Sequence, residues 1–391
     1  MKSDSELINR IRNEFSKRYG DNGDAVITRS PGRINLIGEH TDYNNGFVLP
    51  SAIDRAIYLE VAPGIDHRAR VRSLDLDQTV EFDVGRPERS ELGWANYLIG
   101  VVEQLNRGGH KIGGFDCVFA GDIPIGAGMS SSAAIEAGLG FTLDRIFDLG
   151  IERVEMAKIA QRAENEFVGV RCGIMDQIAN LLSRGGSALR LDCRSLQYEY
   201  VPFTGNDLKF VLCDTGVKHD LALSEYNARR AQCETGVEII RRRFPEIRSL
   251  RDVDIRRLDD VRSDLGQTVY NRCRFVIEEN SRVVNACESL GSGDFVSFGE
   301  ALYKSHEGLR DMYEVTCKEL DVLVDTAAEI GGVLGARMMG GGFGGCTLNL
   351  VRNSAVDDFK NEIRESYNRA TGLSAKIYEC KLTPGTEVVH D

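Results

Sequence analysis

The stretch from Phe115 to Phe147, FDCVFAGDIPIGAGMSSSAAIEAGLGFTLDRIF, changes period in its middle. Phe115, Cys117 and Phe119 alternate as in a half-buried strand, whereas Ile135, Leu139, Leu143 and Ile146 recur as on one face of a helix. Between them lies Gly126-Ala127-Gly128-Met129-Ser130-Ser131-Ser132. Small residues let a backbone approach a phosphate, and the N-terminus of the following helix adds unpaired N–H groups and a partial positive charge. A serine hydroxyl there could also ligate Mg²⁺. The loop is not of the Walker A type, because no Lys follows the glycines. The serines equally fit a plain helix N-cap after a glycine-rich turn.

Working outward, the 391 residues suggest two large domains at roughly 150 residues or more each. The expected fold class is α+β, with the border near the Pro-Gly-Asn segment VPFTGN (Val201–Asn206), giving domains 1–203 and 204–391. Tyr58–Val61 and Ala69–Arg72 read as short strands, Val154–Phe167 as a helix, and the N-terminal MKSDSELINRIRNEF as an amphipathic surface helix. After a strand-like LKFVLCDT, the chain from Ser224 to about Glu329 is helical and charged, and SAKIYECKL closes on a strand.

Asp plus Glu number 60 against 48 Lys plus Arg, a net charge of −12. Such a chain repels nucleic acid and anionic membranes, so any anionic ligand needs a local binding device. No apolar run approaches the roughly 18 residues of a membrane span. Ten cysteines without a C-x-x-C pair imply reduced, mostly buried thiols and a cytoplasmic location. The six histidines never fall at H-x-x-x-H spacing, which argues against a structural zinc site.

Two further segments carry chemistry. Pro31-Gly32-Arg33-Ile34-Asn35-Leu36-Ile37-Gly38-Glu39-His40-Thr41-Asp42-Tyr43-Asn44-Asn45-Gly46 holds seven polar side chains in a row, Glu39 to Asn45, between glycines. That density of donors and acceptors suits the several hydroxyls of a sugar, although a solvated turn has the same composition. Gly340-Gly341-Gly342-Phe343-Gly344-Gly345 formally satisfies G-x-G-x-x-G, but a strand follows where a dinucleotide fold needs a helix, so it reads as a tight turn against a ligand or another domain. Asp176 falls in the first turn of a short helix to Leu182, where an acid is favourable by the helix dipole alone. Glu164, late in its helix, would ordinarily be a solvated surface charge.

GRINLIGEHTDYNNGFVLP closely resembles the galactokinase signature, and the serine loop resembles the ATP motif of the wider GHMP small-molecule kinases. Glu164, then Gly173-Ile174-Met175-Asp176-Gln177, then Ser224-Glu225-Tyr226-Asn227-Ala228-Arg229-Arg230, and the final glycine loop follow in the family's order. The resemblance implies a two-domain fold, a mixed-sheet N-terminal domain and an α+β C-terminal domain with the active site between them. It implies ATP- and Mg²⁺-dependent phosphorylation of galactose at its anomeric hydroxyl, with Asp176 as base and Arg33 as its electrostatic partner. Glu39, His40, Thr41, Asp42, Gly173 and Tyr226 would then attend the sugar. Gly126, Ala127, Gly128, Met129, Ser130, Ser131 and Ser132 would cradle the phosphates, Ser132 and Glu164 would hold Mg²⁺, and Ser73 and Trp94 would border the nucleotide. A cytoplasmic monomer is expected.

Met129, Asn165 and Met339 depart from the family pattern where Leu, His and Thr are usual; only the last removes a hydroxyl near the phosphates. The competing readings are another sugar 1-kinase, for N-acetylgalactosamine or arabinose, and a catalytically silent galactose sensor. The Thr41-Asp42-Tyr43 run favours galactose, and the complete serine loop with Asp176 disfavours the sensor.

Overall fold

A computed structural model describes residues 4–20, 23–124, 126–217 and 222–389, and the side chains of all of these except 222–224. The first three residues of the N-terminal amphipathic segment and the Ser224 side chain therefore lie outside the description. The N-terminal half supplies strands β1 (Val26–Asn35), β2 (Phe47–Val48), β3 (Pro50–Pro63), β4 (Arg68–Ser73), β5 (Gln78–Asp83), β6 (Phe115–Gly121), β7 (Ser187–Asp192) and β8 (Tyr198–Pro202). The C-terminal half supplies β9 (Leu208–Asp214), β10 (Val333–Met338), β11 (Cys346–Arg352), β12 (Lys376–Cys380) and β13 (Glu387–Val388). They form a six-stranded sheet in the order β13-β1-β3-β6-β4-β5, a four-stranded sheet β10-β11-β9-β12 and a three-stranded sheet β2-β7-β8. The first is mixed, because β4 pairs parallel to β6 and all other neighbours are antiparallel.

The period-2 alternation of strands sorts side chains to two covered faces of the large sheet. Tyr58, Val118 and Ala120 pack on Leu7, Ile11 and Phe15 of α1 (Asp4–Tyr19). Their neighbours Leu59, Cys117 and Phe119 face the core with Leu139 and Leu143 of α3 (Ser131–Phe147), beside α2 (Ala95–Arg107). Strand β6 is thus buried on both faces, not half-buried as its alternation suggests, because a second helix covers the other side. The short strand expected at Tyr58–Val61 is the middle of a 14-residue strand.

The helix expected over Val154–Phe167 stops being α-helical at Arg162: α4 (Arg153–Arg162) gives way to a π-helical stretch, Ala163–Val168, ended by Gly169 at φ +99°. That wider turn carries Glu164 inward. Next comes α5 (Met175–Leu182).

Beyond β9, the charged helical region is several helices: α6 (Ala222–Arg243), α7 (Ile255–Asp259), α8 (Arg262–Ser292), α9 (Phe295–Gly308) and α10 (Lys318–Glu329). With α11 (Val356–Thr371), α10 covers one face of the four-stranded sheet through Leu323, Phe359 and Ile363. The other face joins Phe210, Leu348 and Leu350 to the same apolar core as the N-terminal half. The chain then returns, β13 pairing with β1 at Thr28↔Val388 and Arg29↔Glu387. The α+β class and mixed N-terminal sheet are as expected from the sequence.

Candidate functional site

Strand β1 changes register against β3 between Pro31 and Arg33, and from there Arg33 reaches the first turn of α5. Its guanidinium clasps Asp176 twice, Nε to Oδ1 at 2.6 Å and Nη2 to Oδ2 at 2.7 Å. Its remaining nitrogen donates to the Gly128 carbonyl at 2.6 Å, and its backbone N–H donates to the Met129 carbonyl at 3.1 Å. One arginine therefore fixes both the carboxylate and the glycine-serine loop. Ser130 stands at φ +56° and gives its hydroxyl to Asp176 Oδ2; it makes no side-chain cap to α3. The plain N-cap account of the serines fails on that bond.

Arg33 and Asp176 line a cavity of about 170 Å³ together with Glu39, His40, Asp42, Gly173 and Tyr226. Glu164, Val170, Cys172, Met175, Gly340 and Gly341 complete its wall. The segment expected to be a sugar loop is buried almost throughout rather than solvated. Gly173 is required here, since a β-carbon on it would stand 1.9 Å from Asp42 Oδ2.

Thr41 is absent from the wall: its Oγ1 lies 2.8 Å from the Gly38 carbonyl and 2.6 Å from the Phe47 carbonyl, so its hydroxyl is spent on holding the loop. Glu39 Oε1 accepts from Arg337 Nη2 and from the Gly340 N–H, both at 2.9 Å, which ties the loop to the C-terminal glycine turn.

Glu39, Asp42 and Glu164 share this wall with Asp176. Burial first, and the Asp176 charge second, push Asp42 and Glu164 each up to about 7. Glu136, fully buried beside Glu164, is lifted well above the usual carboxylate range by burial and by Glu164. Glu164 is 7% exposed, not a surface charge, and Gln177 Nε2 donates to its Oε2 at 2.9 Å. The Ser132 side chain acts the other way on Glu164, favouring its ionised form. A hydroxyl and an acidic oxygen side by side, in a pocket of self-repelling carboxylates, suit a hard divalent cation that draws its other ligands from phosphate and water. Among the described residues no three His, Cys, Asp or Glu side chains form a metal cage of their own.

A second cavity, about 410 Å³, opens on the far side of the serines. Ser73, Trp94, Ser131 and Ser132 border it, with Tyr97, Phe119 and Ile135 as its apolar wall. Trp94 Nε1 donates to Gln78 Oε1 at 2.6 Å, which fixes the indole at the rim. Of the other loop residues, Ala127 and Met129 are buried and Gly126 is exposed at φ +82°. The two glycine loops abut: a β-carbon on Gly340 would lie 3.6 Å from the Gly128 carbonyl oxygen.

Several supporting residues carry no sequence signal. Arg337, with no exposed surface, donates to the Leu36 carbonyl at 2.7 Å and the Met338 carbonyl at 2.6 Å besides Glu39. Glu279 Oε1 accepts from the Gly38 N–H at 3.1 Å, and Asn280 Oδ1 from the Phe47 N–H at 2.8 Å. These side chains come from β10 and α8, remote in sequence, and nothing around them separates them from ordinary helix and strand residues.

Known families match along the chain: the Galactokinase galactose-binding signature at residues 13–63, the GHMP kinases N terminal domain at 96–184 and the GHMP kinases C terminal at 285–369. A galactokinase of Roseiflexus sp. (strain RS-1) is 42% identical over 381 residues, covering 97% of each chain. One from Thermotoga maritima is 39% identical over 361 residues, 92% of this chain and 99% of its own. The crystal structure of Lactococcus lactis galactokinase complexed with galactose superposes with a TM-score of 0.94 at 35% identity, covering 98% of this chain and 100% of that one. Methanococcus jannaschii mevalonate kinase shares the fold, with a TM-score of 0.66 at 18% identity over 93% of this chain and 100% of its own.

Proposed function

The chain belongs to the galactokinase family, and on that premise we propose that it transfers the γ-phosphoryl group of ATP to the anomeric C1 hydroxyl of galactose, giving galactose 1-phosphate and ADP. The observation that carries this reading is the Arg33–Asp176 pair, which sits in the wall of the polar cavity and is bonded to the glycine-serine loop at once. Galactose occupies that cavity, with Glu39, His40, Asp42, Gly173 and Tyr226 as its neighbours. Thr41 serves it indirectly, by shaping the loop.

Asp176 accepts the proton of the C1 hydroxyl as its oxygen attacks the γ-phosphorus, and ADP departs from the opposite side. A sugar hydroxyl is a weak nucleophile, and phosphoryl transfer depends chiefly on positioning and charge neutralisation. Arg33 orients the carboxylate and faces the phosphoryl group. Residues Gly126 to Ser132 cradle the phosphates with backbone N–H groups, and the second cavity, with Ser73 and Trp94, takes the base. Ser132 and Glu164 would hold Mg²⁺, which supplies charge neutralisation to the phosphates when bound.

Met129, in place of the usual Leu, keeps the volume of a buried apolar side chain. Ten free cysteines, eight of them buried, fit a reducing cytoplasm. No described helix is long and apolar enough to cross a membrane. We take the protein as a monomer with its domain border at 203/204.

A sugar panel with coupled ADP detection tests the reading. Galactose should be the clear preference; a higher kcat/KM for N-acetylgalactosamine or arabinose would overturn it.

A further inference from the structure

Behind the cavity runs a hydrogen-bond chain that the phosphoryl transfer does not use. His40 Nδ1 is 2.6 Å from Tyr43 Oη, Tyr43 Oη is 2.8 Å from Tyr313 Oη, and Tyr313 Oη is 3.2 Å from Cys233 Sγ. Tyr313 and Cys233 have no exposed surface. The His40 ring is enclosed by the rings of Tyr313, Tyr226 and Tyr43, with centroids at 4.8, 5.5 and 5.8 Å. Its other nitrogen, Nε2, is buried without a hydrogen-bond partner, and His40 is one of the residues that line the cavity.

Each hydroxyl in such a chain has one proton to give, so the chain has a direction. Running from Cys233 toward His40, the bonds are S–H···O, O–H···O and O–H···N, and the last acceptor is an unprotonated imidazole nitrogen. Running the other way, the chain ends on O–H···S, with thiol sulfur a weak acceptor. Each direction thus keeps one weak sulfur bond, S–H···O or O–H···S, and the histidine end decides: a phenol O–H given to a bare imidazole nitrogen is a stronger bond than an imidazole N–H given to a phenol oxygen. Burial, then the Arg229 and Arg337 charges, hold the imidazole down to about 3, so at neutral pH the ring carries a single proton. The Gly341 carbonyl, also in the cavity wall, acts the opposite way and favours a proton on the ring.

We propose that Tyr43 and Tyr313 are positioning residues: their relay fixes His40 as the Nε2–H tautomer, so that it presents a hydrogen-bond donor to a sugar oxygen in the cavity. The identity of that sugar rests on the galactokinase reading; the tautomer does not. The consequence is for specificity. Glu39 and Asp42 offer the sugar carboxylate acceptors, and a hydroxyl that donates to one of them still has lone pairs to be satisfied. His40 with Nε2–H satisfies them. The other tautomer would set a further acceptor against an oxygen whose only proton is already given.

Long-range ¹H–¹⁵N correlation spectra of the sugar-free, full-length protein test this, with the His40 signals identified by their loss in His40→Gln. The wild type should show protonated Nε2 and bare Nδ1, and Tyr43→Phe should redistribute the proton toward Nδ1. Tyr313→Phe breaks the relay one link further back and should do the same to a smaller degree. Protonated Nδ1 in the wild type, or an unchanged Nε2–H form in Tyr43→Phe, would overturn the proposal.

In kinetics, Tyr43→Phe should raise the galactose KM about fivefold with kcat held within about twofold, as for one lost hydrogen bond. The monodeoxygalactose that lacks the oxygen served by His40 should show no such change. A wild-type galactose KM in the variant also overturns the relay. A wild type with the expected tautomer but no galactose turnover would instead defeat the substrate reading and leave the relay standing.

Discussion

Arg33 and Asp176, 143 positions apart in sequence, meet in a bidentate ion pair in which both carboxylate oxygens are bonded, at 2.6 and 2.7 Å. The same guanidinium holds the Gly128 carbonyl at 2.6 Å. A bidentate pair fixes orientation as well as charge, because the planar fork matches the carboxylate in only one plane. The proposed base is thus aligned by the residue that also anchors the glycine-serine loop, so one arginine supports both.

Replacing Arg33 by Met removes the alignment of Asp176, the anchor of the loop and the positive charge proposed to face the phosphates. We expect kcat to fall about 10² to 10³, the usual loss for one preorganised donor, with a folded protein and galactose affinity within about threefold. Steady-state kinetics with calorimetric galactose binding checks this; a kcat within about threefold of wild type would mean that the pair is structural only.

Gly173→Ala asks whether Asp42 is a sugar ligand. The added methyl group must displace a carboxylate whose oxygen lies 1.9 Å from the ideal β-carbon position. Loss of one well-placed acceptor should raise the galactose KM by about 10- to 100-fold, while the ATP KM changes little. Equal damage to both would mark a general distortion of the cleft instead.

The pH dependence of stability has a defined sign. Asp42 rises from 3.8 and Glu164 from 4.5, each to about 7, chiefly by burial. A raised carboxyl pKa means that the folded state binds protons more tightly, so this stability is full below the ordinary values and is lost as pH rises through about 7. The ligand-free protein should therefore lose Tm through these groups between about pH 4 and about pH 7. Glu164→Gln should flatten that slope and weaken the Mg²⁺ dependence of activity. A variant with the wild-type slope and a wild-type magnesium titration would remove Glu164 from the cation's neighbourhood.

The strand–loop–helix unit around Gly126–Ser132 and the short helix bearing Asp176 were legible because each is written in local periodicity and turn chemistry. The domain order was legible through motif order. Burial of Glu164 was not, since it depends on a π-helical turn that helical spacing does not reveal. Nor was the role of Thr41 within its own loop, because a threonine looks the same whether its hydroxyl faces a ligand or a carbonyl of the same segment. Arg337 was invisible for a related reason: its partners Leu36 and Glu39 lie 301 and 298 positions off, and only the packed fold brings them together.

Arg337→Met would leave Glu39 buried without its cation and the peptide carbonyls of Asn35, Leu36 and Met338 without this donor. Breaking one partner out of a buried pair costs about 3 to 5 kcal/mol. Denaturant unfolding should register a loss of that size, together with a raised galactose KM. A loss below about 1 kcal/mol would show that the glycine turn holds Glu39 unaided.

The central claim, that Asp176 takes the proton of the sugar hydroxyl, is tested most directly by the kcat of Asp176→Asn measured beside calorimetric galactose binding on the same preparation. An amide keeps the shape of the side chain but cannot accept that proton. The account predicts retained galactose binding with kcat reduced about 10² to 10⁴, or about 3 to 5 kcal/mol of barrier. An unaltered kcat would contradict it outright, and a variant that no longer binds galactose would make Asp176 a sugar ligand rather than the base.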